Sequence, residues 1–286
     1  MAGPLPASAA TLAVYLSAQV LRGAGFGTTA RDARLEGSAT PVRVTPISID
    51  RSTRDGAAGV GSETARAPTT LAAAAARIPA GDDGARVRVE RYTMTDGSRQ
   101  FAVYVTGMKS YGGTEPFDMA SNSQLYTGTR SASFDATMSA LRQSGAEPGD
   151  TVHAFGHSQG AMVAARLASE GEYDTQTLVS LGSPVEAAVG PDTLSVALRH
   201  TDDPVAALAG GGHHDAVGAA GSFVAERAAD PTVGVDLDAH KLDRYTETAA
   251  MLDVSADPRM NAMRQLLTRL GGAASVDVTV YAAVRE

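Results

Sequence analysis

The stretch that most constrains this chain is "TVHAFGHSQGAMVAARLA", residues Thr151–Ala168. Val152, Ala154 and Phe155 suit a buried strand, and the residues after Gly160 suit a helix. Ala161 and Ala164 keep that helix slim, while Met162, Val163 and Leu167 offer packing. A Gly-x-Ser-x-Gly element at such a junction turns the backbone sharply and holds the serine hydroxyl above a sheet. Gly156 and Gly160 remove side chains where strand and helix must meet. The pattern demands an α/β architecture and makes Ser158 a candidate nucleophile. The plainer alternative, a serine that only caps or bends a junction, fits the five residues alone and not their strand–turn–helix setting. The first free N–H groups of the helix sit at its positive dipole end, so the Gln159 amide is the candidate donor to an oxyanion.

A serine hydroxyl is a weak nucleophile without a base, and a carboxylate behind the base holds its imidazole tautomer. In α/β folds of this kind the chain order is serine, acid, histidine. "LSVALRHTDDPVAAL" places Asp203 directly after an apolar run, with Pro204 stiffening the exit; Asp202 is the alternative acid. "PTVGVDLDAHKLDRY" supplies His240 before a helical pattern. His213 and His214, in "GGHHD", are the alternative bases. His153 lies within the strand, His157 is fixed beside Ser158, and His200 is too near the acid. The second oxyanion donor belongs to a loop after an earlier strand. "FAVYVTGMKSYGG" makes the Met108 amide the first candidate and Gly107 the next.

Periodicity organises the rest. "ARVRVERY" and "RQFAVYVTG" read as strands joined at Asp96–Gly97. Phe134, Met138 and Leu141 mark a helix over residues 131–144, and "LAAAAARIP" marks a short helix with a proline stop. "TQTLVSLGSP", "DTLSVALRH" and the shorter "PTVGVDL" read as strands. Helices follow near 242–252 and 258–270, and the alternating "SVDVTVYAAV" suggests an antiparallel or edge strand. Strands alternating with helices predict an α/β sandwich over residues 69–286. Residues 1–68 read as an extension, with a helix near 8–22 and a strand hint at Val42–Ile49.

Composition narrows the function classes. The chain of 286 residues has no cysteine, which excludes disulfides, cysteine–zinc sites and thiol catalysis. A net charge of -8 and no Lys/Arg run argue against nucleic acid as a partner. No apolar span suits a membrane helix, and the N-terminus has no basic signal-like region, so cytoplasm is the default expectation. Paired histidines without a third regularly spaced ligand are a weak metal signal, and no metal or cofactor is expected.

Taken together, "GHSQG", "LVSLGSPV", "RHTDDPVAAL" and "DAHKLDRY" resemble the α/β-hydrolase superfamily, especially its lipase- or esterase-like members. "VYVTGMKSYGGTEPFDMASN" is similar to the oxyanion-loop region of bacterial lipase-like hydrolases, although "TGMK" departs from the His-Gly-rich form. The resemblance covers roughly residues 86–270. It implies a three-layer sandwich with a mostly parallel central sheet, and hydrolysis of a small or lipid-like ester through an acyl-serine. It gives Ser158, Asp203 and His240 the roles of nucleophile, acid and base, with the Gln159 and Met108 amides as donors. An amidase or peptidase using the same residues, and a noncatalytic interaction domain on this scaffold, are the competing expectations.

Overall fold

The structure is a computed structural model that describes residues 35–53, 65–209 and 218–286. The helix expected near 8–22, and His213 and His214, lie outside the described residues. Eight strands form one sheet: β1 (Val42–Thr53), β2 (Val87–Thr93), β3 (Arg99–Val105), β4 (Thr151–His157), β5 (Asp174–Leu181), β6 (Leu194–His200), β7 (Phe223–Arg227) and β8 (Ser275–Arg285). Their spatial order is β1-β8-β2-β3-β4-β5-β6-β7. From β3 to β7 neighbouring strands are parallel, whereas β1, β8, β2 and β3 pair antiparallel. The mostly parallel α/β sheet expected from the sequence is thus present.

The parallel half needs crossovers: α-helices lie between β3 and β4 and between β4 and β5, whereas β5 runs to β6 without one. α1 (Leu71–Ala75), α2 (Met119–Tyr126), α3 (Ala132–Gln143), α4 (Gln159–Glu170), α5 (Leu242–Asp253) and α6 (Met260–Gly271) cover the sheet's two faces. Strand alternation divides the core between them. Phe101, Val103, Val105, Val152 and Ala154 pack under α2, α3 and α4. Ala102, Tyr104 and Phe155 point the other way, toward α1, α5 and α6. Tyr104 and Phe155 stack there with centroids 4.8 Å apart.

Local chemistry sets the element ends. The Ser131 side chain accepts from Phe134 N at 3.2 Å and starts α3. At the β2–β3 turn Gly97 has φ 85°, and Asp96 Oδ1 accepts from Ser98 N at 2.9 Å.

One expectation changes, and another is resolved. "PTVGVDL" is not a strand: Pro231 lacks an amide donor, Asp230 Oδ1 accepts from Thr232 N at 2.9 Å, and Leu237–His240 coils into a 3-10 turn. The last parallel strand is instead β7, a short edge segment whose "FVAER" carries little alternation. The alternating C-terminal segment is antiparallel, but it lies inside the sheet because β1 pairs along its outer side. α2 was not legible in the sequence: "MASNSQLY" has no apolar period, and it begins where Asp118 Oδ1 accepts from Ser121 N at 2.8 Å.

Candidate active site

β4 ends at His157, and Ser158 turns the chain into α4 with φ 55° and ψ -119°. It is the one non-glycine residue with positive φ among the described residues. Such a conformation costs on the order of 1–3 kcal/mol and persists only where its surroundings impose it. Here Ser158 N donates to Leu181 O at 2.9 Å, and Ser158 O receives Ala161 N at 3.0 Å. The flanking glycines are steric requirements. A Cβ on Gly156 would run into the Gly160 carbonyl, and one on Gly160 into the Val105 carbonyl.

Asp203 follows β6 and is buried, as is Asp202. His240 closes the 3-10 turn before α5. His240 Nε2 lies 2.8 Å from Ser158 Oγ, and its Nδ1 lies 2.7 Å from Asp203 Oδ2. The imidazole retains 16% side-chain exposure while Asp203 has none, so one end of this chain meets solvent and the other does not. An Nδ1–H donated to Asp203 leaves Nε2 free to accept the serine proton.

The Asp203 carboxylate also accepts Val205 N at 2.8 Å on Oδ1 and the Tyr245 hydroxyl at 2.7 Å on Oδ2. Burial pushes its pKa up, but His240, Tyr245 and the Val205 amide outweigh that and hold it below the usual carboxylate value. The alternative acid Asp202 faces elsewhere. Its two carboxylate oxygens receive Ala229 N at 2.9 Å and Asp230 N at 2.8 Å, and its carbonyl receives Asp236 N at 3.0 Å. Asp202 therefore shapes the loop that delivers His240.

Two further groups brace the site. His157 Nε2 donates to the His240 carbonyl at 2.8 Å. Burial, reinforced by the neighbouring His240, pushes His157 down to about 3 and keeps it neutral. Tyr245 lies in α5, stacked on the buried His200 ring with centroids 3.9 Å apart. Sequence reasoning missed Tyr245, since "KLDRYTE" reads as an ordinary helix start; its place three residues beyond the helix's first residue was the available signal.

On the donor side, Gln159 is the first residue of α4 and is buried. Its Nε2 donates to Asp118 O at 2.7 Å and Asn122 Oδ1 at 2.9 Å, and Asn122 Nδ2 approaches Met108 Sδ at 3.1 Å. Lys109 N donates to Phe117 O at 2.7 Å, and the Lys109 ammonium donates to Ala80 O. The loop after β3 is thereby tied to α2 and α4. Gly107 lies against Ser158: a Cβ there would sit 3.3 Å from Ser158 Cβ and 3.2 Å from His157 Nδ1. Among the described residues, neither the Met108 nor the Gln159 amide meets a backbone acceptor.

A surface groove of about 980 Å³ runs between α1 and α5 past Ala76, Ile78, Ala80, Leu242 and Thr246, and Ser158 does not line it. Convergent polar chemistry, rather than groove size, locates this site. Among the described residues no three His, Asp or Glu side chains group as metal ligands would, and no helix is long and apolar enough to cross a membrane. The chain matches no family model, no curated protein and no solved structure.

Proposed function

We propose that the chain is a serine hydrolase of the α/β-hydrolase type that cleaves carboxylic esters through a covalent acyl-serine. The observation that carries this reading is the unbroken hydrogen-bonded line from Ser158 Oγ through the His240 imidazole to Asp203, anchored on a strained strand–helix turn. His240 Nε2 takes the Ser158 proton as Oγ bonds to the acyl carbon. The carbonyl π electrons move onto oxygen, and the Gln159 and Met108 amide N–H groups donate hydrogen bonds to the resulting oxyanion. His240 then gives the proton to the departing alcohol as the C–O bond breaks. Water repeats the sequence and frees the acid. One oxyanion donor is worth about 3–4 kcal/mol in such chemistry. A small or lipid-like ester is the substrate class.

A serine-reactive fluorophosphonate, read by intact mass and peptide mapping, tests the reading. Labelling at Ser158, together with turnover of short p-nitrophenyl esters that Ser158→Ala abolishes, is the expected result. Ester turnover that survives Ser158→Ala would overturn the nucleophile assignment. An unlabelled, inactive protein would favour the interaction-domain alternative.

A further inference from the structure

We infer that the Tyr245 hydroxyl, by donating to the same Asp203 Oδ2 that receives His240 Nδ1–H, sets the basicity of His240. The inference deepens the proposed hydrolase reading and rests on it for its catalytic meaning, though not for its test. Tyr245 is a positioning residue, since it acts on His240 only through the carboxylate.

The direction of its hydrogen bond is fixed by its neighbours. His200 N donates to the Tyr245 oxygen at 3.2 Å, so the phenolic proton is left for Asp203 Oδ2 at 2.7 Å. The ring has little freedom to leave. It is fully buried, stacked parallel to His200 within 8°, and backed by Gly182, where φ is 58° and a Cβ would press on the ring edge. Burial and the Asp203 charge push the phenol well above its usual pKa, so the proton stays on oxygen. Asp203 Oδ2 therefore divides its charge between two donors. A carboxylate so occupied stabilises the imidazolium less than one bonded to His240 alone.

Among the described residues, His157, Lys109, His200, Asp202 and Arg227 are the other ionisable or charged groups that act around this pair. His157 at the end of β4 faces both partners, and Lys109, in the loop after β3, acts on His157. His200 at the end of β6 faces Asp203, with Asp202 beside it and Arg227 of β7 behind it. Burial holds His157 and His200 below the usual imidazole value, so both rings stay neutral beside the Asp203–His240 pair.

The test follows the His240 imidazole by NMR in histidine-labelled protein, its signal assigned by loss in His240→Gln. Tyr245→Phe keeps the ring and the stack but removes the donor. Its expected effect is a rise in the His240 titration midpoint of roughly half a unit to one unit. The acid limb of the ester-hydrolysis profile moves up by the same amount. Tyr245 replaced site-specifically by 3-fluorotyrosine, a more acidic phenol and stronger donor, moves the midpoint down. A midpoint that stays or falls in Tyr245→Phe overturns the inference. Should that variant not fold, the fluorotyrosine protein decides alone, and any result but a downward shift overturns it. Because the midpoint is read without substrate, failure of the hydrolase reading would show separately, as wild-type protein that titrates normally yet has no Ser158-dependent turnover.

Discussion

Ser158 holds an unfavourable backbone conformation that two glycines and two backbone hydrogen bonds enforce. Relief of that strain should outweigh the added chain entropy of glycine, about 0.5–1 kcal/mol. Ser158→Gly is therefore expected to raise the free energy of unfolding by about 1 kcal/mol while removing the hydroxyl, whereas Ser158→Ala keeps the strain. Denaturant titration of both variants beside wild type checks this. At this scale much was legible beforehand. Ser158, Asp203 and His240 each sit where a short local pattern puts them: between paired glycines, before a proline, and before a helix start. Pro204 already favoured Asp203 over Asp202 in the sequence, and the structure shows where each of the adjacent carboxylates goes. Their carboxylates diverge in space to His240 and to the Ala229–Asp230 amides.

Elements separated in sequence complete one another. Asp253, the last residue of α5, accepts Leu71 N at 2.8 Å and Ala72 N at 2.9 Å, so its carboxylate caps the first turn of α1. A five-residue helix has no internal reserve of hydrogen bonds. Asp253→Ala is expected to cost about 1–2 kcal/mol in unfolding free energy, and to speed amide exchange in Leu71 and Ala72 ahead of the sheet, as hydrogen exchange would show. Thr70 caps the same helix locally, its Oγ1 accepting from Ala73 N at 3.0 Å, whereas Asp253 lies more than 180 positions away. The same contrast separates α3, which has a clear apolar period, from α2, whose polar residues are placed by Asp118 and by Gln159 of α4. It also explains β7. A five-residue edge strand takes its identity from pairing with β6, not from its own alternation.

Two neutral histidines lie on β4, the strand that leads into the Ser158 turn. Burial pushes His153 and His157 each down to about 3, against about 6.5 for an ordinary imidazole. Below pH 6.5 the unfolded chain therefore binds protons that the folded protein does not. Their contribution to stability is complete above about pH 6.5 and declines as pH falls toward 3, with a slope approaching about 1.4 kcal/mol per pH unit for each histidine. By pH 5 the pair is expected to cost on the order of 4 kcal/mol. The lowered carboxyl of Asp203 contributes above its unfolded value near 4 and is lost only as pH falls below that. Urea unfolding at pH 7, 6 and 5 checks the slope, and His153→Gln should remove about half of it. His153 bridges Gln100 of β3 and Thr177 of β5, so its burial belongs to the assembled sheet. By itself the sequence determined the α/β class and the strand–Ser158–helix turn, because each is written in contiguous residues through backbone sterics and apolar period. Only the tertiary structure decided that β8 runs inside the sheet, that Asp202 serves the loop and that Tyr245 shares the Asp203 oxygen. Those outcomes depend on pairings between segments and groups far apart in sequence, and no local pattern encodes which distant partner is met.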